Sequence, residues 1–179
     1  MSAEGGQISF VFVANARMVK GADFIENAIR ALQVAGIRAT IHLVGGARVD
    51  AYYGAGVQVV RHGHASHQEL AEIFGGADCL LLPSRLESFG MVVLEAMAAG
   101  MSVIVSDWVG AAALVDHGVN GWRFGDTFEA FLERVLWCAD NVDLVRAMRP
   151  ACVETARRNS WEAYQQRAVN IVRNVTRGS

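Results

Sequence analysis

Lysine is almost missing from this chain: of its 16 basic residues only Lys20 is one, and the rest are arginines. Charge of one sign is missing too, since 16 basic residues face 18 acidic ones and leave a net charge of −2. That balance gives no basic footprint, so a nucleic-acid partner is not expected. No apolar run is long enough to span a bilayer. The first residues, Met1-Ser2-Ala3-Glu4-Gly5-Gly6, lack the charged and apolar pattern of a signal peptide. The three cysteines, Cys79, Cys138 and Cys152, are odd in number, far apart and without a Cys-x-x-Cys spacing, which reads as reduced thiols of a cytoplasmic protein. There is no internal repeat and no low-complexity linker.

Present instead is a globular composition, 53% hydrophobic and 19% charged over 179 residues, enough for one domain with a full core. Strand-length apolar runs alternate with helical spacing. Strands are expected over Ile8–Ala14, Arg38–Val44, Val57–Arg61, Asp78–Leu82, Ser102–Ser106 and Trp122–Phe124. Helices are expected over Gly21–Ala35, Ser66–Phe74, Gly90–Ala99 and, as a short one, Ala111–Asp116. Ser66 stands as N-cap with Glu69 placed for a capping box. From Thr127 the chain reads as three helices, Thr127–Ala139, Val142–Arg158 and Ser160–Val175. Strands alternating with helices imply right-handed crossovers and a parallel sheet covered on both faces. The fold class is α/β: a single Rossmann-like, doubly wound parallel sheet spanning 1–179, with 1–7 as linker or disordered and 160–176 as a terminal helix. Ligands of such sheets bind at the carboxyl ends of the strands, which gathers Lys20, Gly45-Gly46, Gly63-His64, Glu87 and Asp107 on one edge.

The most telling stretch is Glu87-Ser88-Phe89-Gly90-Met91-Val92-Val93-Leu94-Glu95, which follows Cys79-Leu80-Leu81-Leu82 and Pro83-Ser84. It reads as strand, turn and helix, with one carboxylate at the helix mouth and a second two turns in. Met91 to Ala99 is apolar almost all round, which marks a buried helix. A buried Glu95 needs a hydrogen-bonding partner. A ligand bearing hydroxyls and phosphates would supply one, because the helix mouth also offers free backbone N–H groups to an anion. A buried arginine such as Arg61 or Arg123 is the structural alternative for Glu95. For Glu87 the alternative is a plain helix N-terminal acid favoured by the dipole, and for Gly90 a tight helix start with no ligand. Lys20, with Arg17 in the same loop, suits a phosphate clamp or a solvated surface. His62, His64 and His67 cluster in sequence, but no nearby carboxylate or thiol completes a metal site, so none is expected. Trp137 and Trp161 read as packing residues, and Arg157-Arg158 as a solvated helix end.

Taken together, these residues resemble the donor-binding, C-terminal half of retaining glycosyltransferases of the two-Rossmann GT-B fold, family four. The resemblance rests on Leu82-Pro83-Ser84-Arg85-Leu86-Glu87-Ser88-Phe89-Gly90 followed by Leu94-Glu95-Ala96-Met97-Ala98-Ala99-Gly100, with weaker matches at Lys20-Gly21, Val44-Gly45, Gly63 with Glu69-Leu70, Gly118-Val119-Asn120-Gly121 and Ser160-Trp161. Departures are Met101 where the family usually has proline, and Ala113 where it usually has a carboxylate. The resemblance implies a nucleoside diphosphate sugar donor, with uridine diphosphate favoured and guanosine diphosphate mannose the runner-up, and no metal or other cofactor. It implies Glu87 and Lys20 as catalytic residues, Glu87 on a donor-sugar hydroxyl and Lys20 on the leaving phosphate. It also implies donor binding by Arg17, Gly63, His64, Ser88, Phe89, Gly90, Met91 and Glu95, the last on the ribose. The acceptor would be a glycan, lipid or saccharide held by an N-terminal domain that this chain lacks. The chain alone would then be incomplete for catalysis, and any membrane contact would run through the missing half. A non-catalytic nucleotide-sugar-binding module and a sugar-nucleotide epimerase relative are the alternatives.

Overall fold

The computed structural model describes residues 6–14, 20–46, 48–49, 56–125 and 127–177. Arg17 lies outside them. Six strands form one sheet: β1 (Ile8–Val13), β2 (Ala39–Val44), β3 (Val57–Gly63), β4 (Cys79–Leu82), β5 (Ser102–Ser106) and β6 (Gly121–Phe124). Their order is β3-β2-β1-β4-β5-β6 and every pairing is parallel. The helices are α1 (Ala22–Val34), α2 (His67–Gly75), α3 (Met91–Ala98), α4 (Phe128–Asp140), α5 (Val142–Ala147), α6 (Arg149–Arg158) and α7 (Trp161–Arg177).

Alternation of side chains along each strand builds two cores. Ile8, Phe10, Phe12, Ile41, Leu81 and Ile104 point to one face and pack with Ile25, Ile29 and Leu32 of α1 and Phe131 and Val135 of α4. Val11, Leu80, Leu82, Val103 and Val105 point to the other and pack with Phe74 of α2, Val93 and Met97 of α3, and Cys152 of α6. Burial on both faces explains the unbroken apolar run of β4. All three cysteines are buried and free, and burial pushes the Cys152 thiol up to about 12.

Two elements differ from the sequence reading. The helix expected over Val142–Arg158 is broken at Met148 into α5 and α6. Pro150 explains the break, because it has no N–H to give the Arg146 carbonyl and its ring crowds that turn. The short helix expected over Ala111–Asp116 is a 3-10 turn, Gly110–Leu114. The capping box forms as expected: Ser66 Oγ accepts from the Glu69 N–H, and the Glu69 carboxylate accepts from the Ser66 N–H at 2.8 Å.

The carboxylate that is buried is Asp78, at the amino edge of β4. It accepts from the Ser9 N–H at 2.9 Å and from Arg146 Nε at 2.9 Å, with an Arg149 nitrogen at 3.6 Å. Arg149 also donates to the Ala77 carbonyl at 3.0 Å. The pair ties α5 and α6 to the bottom of the sheet, while the half-exposed guanidinium of Arg146 keeps contact with solvent. Gln7, ahead of β1, joins this edge by donating to Thr40 Oγ1 at 2.8 Å and accepting from Arg146. Asp78→Ala removes a charge-assisted acceptor and orphans the Ser9 N–H. It is expected to cost about 2–4 kcal/mol, read as a lower urea midpoint with an unchanged slope.

Candidate functional site

Between β1 and β4 the order of strands reverses, and the loops leaving those two strands part to opposite faces of the sheet. The loop after β1 ends in Lys20-Gly21, and the loop after β4 carries Pro83 to Gly90. One close approach presses these loops together, and a second presses the loop after β4 against the loop after β5. Gly21 has φ 75°, and a Cβ there would collide with the carbonyl oxygen of Pro83. Gly90 has φ 86°, and a Cβ would lie 2.9 Å from Val109 Cγ1. Only glycine meets both demands at low cost. The result is an ion pair between Lys20 Nζ and Glu87 Oε2, largely shielded from solvent. Desolvation lowers the pKa of Lys20. Sequence reasoning had given these two residues separate tasks on a ligand; their contact with each other came only with the fold.

Glu87 is not part of the helix. Gly90 is the N-cap of α3, and Glu87 instead sits in a parallel bridge to Val109. Its N–H donates to the Trp108 carbonyl at 3.2 Å and its carbonyl accepts from the Gly110 N–H at 3.2 Å. The plain helix-acid reading of Glu87 therefore fails. Ser88 is exposed and Phe89 is 39% exposed, its carbonyl accepting from Ala111. Among the described residues, the N–H groups of Phe89, Gly90, Met91 and Val92 donate to no backbone acceptor. They form the open, positive end of α3.

Glu95 overturns an expectation. It is exposed, not sunk in the interior. The helix α3 buries Val93, Ala96 and Met97 against the sheet, while Met91 is 59% exposed and Ala98 is exposed too. The helix is apolar on its outer side because that side lines grooves. One, of about 380 Å³, has Met91, Leu94 and Glu95 facing Val153 and Trp161. The other, of about 520 Å³, places Glu95 and Ala98 opposite His67, Leu70 and Phe74 of α2. Neither of the two arginines weighed for it covers Glu95: Arg61 donates to the Val49 carbonyl at 2.7 Å, and Arg123 pairs with Asp107 at 2.8 Å. Glu95 has no hydrogen-bonding partner among the described residues. Trp161 is 68% exposed and stacked on Tyr164, where sequence reasoning had it packed.

Gly63, the last residue of β3 at φ 62°, and His64, on the loop that follows, are exposed. The histidine that shares a cavity with Glu95 is His67, which sequence reasoning had weighed only as a metal ligand. Its signal was present, since the Ser66 cap makes His67 the first residue of α2. His62 stacks on His42, with 2.8 Å between Nδ1 of His42 and Nε2 of His62. No group of three metal-binding side chains occurs among the described residues.

A doubly wound sheet with a paired lysine and glutamate at its switch point, beside an open helix end, has the edge at which α/β proteins of this class hold their ligands. Residues 7–141 match the family described as glycosyl transferases group 1, and the chain belongs to that family. It is similar to an uncharacterized glycosyltransferase of Methanocaldococcus jannaschii, 34% identical over 118 residues, which cover 64% of this chain and 29% of the relative. It is also similar to a D-inositol 3-phosphate glycosyltransferase of Streptomyces griseus, 35% identical over 106 residues, 58% of this chain and 22% of the relative. Among solved structures, the fold is shared by Anabaena HepE in complex with UDP and glucose, at TM-score 0.71 and 18% identity over 94% of this chain and 48% of that one. It is shared as well by WaaG, a glycosyltransferase involved in lipopolysaccharide biosynthesis, at TM-score 0.71 and 20% identity over 92% of this chain and 46% of that one. The chain thus spans about half the length of these solved structures and less than a third of the two curated relatives. No described helix is long and apolar enough to cross a membrane.

Gly21→Ala is expected to destabilise the fold by at least the left-handed backbone cost of about 1–2 kcal/mol, with the collision at Pro83 added. Urea denaturation followed by circular dichroism checks it; a neutral result would mean the two loops are not pressed together.

Proposed function

We propose that this chain is the donor-binding part of a retaining glycosyltransferase. The donor is a nucleoside diphosphate sugar, uridine diphosphate by preference, and a second domain holds the acceptor glycan, lipid or saccharide. The observation that carries the reading is the Lys20–Glu87 pair at the switch point, set beside the open amides of α3 and on the same stretch as the unpartnered Glu95. A diphosphate requires a cation and backbone donors; a ribose requires an acceptor of hydroxyl hydrogen bonds; the three features supply both. The UDP complex of HepE, with its shared fold, supports the choice of base.

In this reading Glu95 accepts from the ribose hydroxyls and the α2–α3 groove with His67, Gly63 and His64 borders the base. The N–H groups of Phe89, Gly90 and Met91, with Ser88, receive the diphosphate. Arg17, close to Lys20 in sequence, would add a second cation. Glu87 holds Lys20 in place and takes a hydroxyl of the donor sugar. As the glycosidic bond breaks, negative charge grows on the leaving phosphate, and the Lys20 ammonium stabilises it in a partly dry site where the interaction is strong. That gain arises mainly in the transition state, so it raises turnover more than affinity. Retention follows if the acceptor enters on the donor's own face and its proton passes to the leaving phosphate, which requires no protein nucleophile and no metal. The setting is cytoplasmic, with any membrane contact made by the second domain.

Calorimetric titration with uridine, guanosine and adenosine diphosphates tests the reading; a folded sample that binds none of them overturns it. Glu95→Ala is expected to weaken UDP about ten- to hundredfold, the worth of hydrogen bonds to a charged group at about 1.5–3 kcal/mol. Because Lys20 is the one lysine, acylation followed by peptide mass mapping reads the peptide that carries it apart from the α-amino group. Saturating UDP is expected to slow that labelling several-fold, and unchanged labelling in the presence of bound UDP would remove Lys20 from the phosphate site.

A further inference from the structure

Lys20 and Glu87 stand on two segments that meet at one backbone contact, Gly21 against the Pro83 carbonyl. On its far side the loop after β4 is tied to the loop after β5 by the hydrogen bonds of Glu87 with Trp108 and Gly110. On its near side a single contact sets the distance between the two segments but not the angle. A second contact lies two residues further along each of them. Arg85 Nη1 donates to Oδ1 of Asp23 at 2.9 Å, and Nη2 donates to Oδ2 at 2.5 Å, across 62 positions of sequence. Neither Asp23 nor Arg85 has a task in donor binding.

Both partners are anchored. Asp23 lies in the first turn of α1, whose N-cap, Gly21, offers no side chain. Its carboxylate accepts instead from the N–H groups of Asp23 and Phe24, where the helix dipole favours a negative charge. The bonds from Arg85 hold the Asp23 carboxyl below the usual carboxylate range. The Arg85 guanidinium lies over the Phe24 ring, 5.2 Å from its centroid. Phe24 in turn packs edge-on against Phe128 and Phe131 of the core. The guanidinium thus rests on a ring that belongs to the core and grips a carboxylate fixed to a helix start. A planar fork meets both oxygens at once; an ammonium would not.

The two side chains are half-exposed, 50% for Arg85 and 53% for Asp23. An exposed pair adds little to stability, so its geometry serves orientation more than the fold. We propose that Asp23 and Arg85 are positioning residues, a two-point clamp that sets the angle of the loop after β4 against the start of α1 and so brings Glu87 onto Lys20. The Lys20 ammonium is partly desolvated in that arrangement. With the clamp cut, the segments splay and Lys20 returns toward water. That Lys20 then meets a diphosphate rests on the donor-binding reading; that the clamp sets the surroundings of Lys20 does not.

The test reads Lys20 in the 179-residue chain. Its acylation rate is followed by peptide mass mapping from about pH 7 to 11, a range that spans the ordinary lysine value of about 10.4. The wild-type midpoint is expected below that value, from the desolvation of Lys20. Asp23→Asn and Arg85→Gln are each expected to move it up toward the ordinary value by the same amount, and the double variant no further. Asp23→Glu keeps the carboxylate and is expected to hold the wild-type midpoint; Arg85→Lys keeps the charge but not the fork, and is expected to lose it. Urea midpoints are expected to move little throughout. Calorimetry is expected to show UDP weakened several-fold by Asp23→Asn and by Arg85→Gln. If both of these variants keep the wild-type Lys20 midpoint, whether or not their urea midpoints fall, the positioning role is overturned. If the Lys20 midpoint shifts while UDP binds neither wild type nor variants, the clamp stands and the donor reading falls. If UDP binds and the Lys20 midpoint does not move, the donor reading stands and the clamp falls.

Discussion

Everything at the upper edge of this molecule depends on how tightly two loops pack where the sheet changes direction. Gly21 lies against the Pro83 carbonyl, and Gly90 against Val109. A methyl group at Gly21 would push apart the segments that bring Lys20 to Glu87, and one at Gly90 would push the loop after β4 away from the loop after β5. The parallel order β3-β2-β1-β4-β5-β6 puts β1 and β4 side by side. Residues 67 positions apart in sequence therefore become ion-pair partners. The chemistry of the site is set by that packing before any ligand arrives.

The two ends of the sheet treat charge in opposite ways. At the amino edge Asp78 is buried and fully engaged by Ser9, Arg146 and Arg149. Those contacts tie the last helices to the strands and serve the fold. At the carboxyl edge the Lys20–Glu87 pair keeps some contact with solvent and the helix α3 leaves its first N–H groups without backbone partners. Polar groups left open at one end only, on a scaffold that satisfies them at the other, are what a binding edge requires. Membership of the glycosyl transferases group 1 family agrees with this polarity of the sheet.

The helix α3 shows how a pattern can be read correctly and interpreted wrongly. Its residues are apolar almost all round, and the inference of a buried helix followed from that. One side is indeed buried, through Val93, Ala96 and Met97. The outer side, with Met91, Leu94 and Ala98, lines two grooves that meet at Glu95. Glu95 therefore needs no buried partner to be tolerated, and its availability to a ligand comes from exposure, not from confinement. Trp161 was misplaced for the same reason: an aromatic residue at a helix start reads as packing, yet it stands at the rim of a groove.

Local signals in the sequence determined the alternation of strands and helices, the capping box at Ser66 and the two-core sheet, and singled out Lys20, Glu87 and Glu95 as candidates. Each of these depends on residues a few positions apart, where side-chain period and backbone preference act directly. The tertiary structure alone decided that Lys20 touches Glu87, that Asp78 and not Glu95 is the buried carboxylate, that His67 faces Glu95, and that Trp108 stands beside Glu87. Periodicity reports which side of an element is apolar but not what covers it, and contacts between distant segments depend on the order of strands in the sheet, which no single segment encodes.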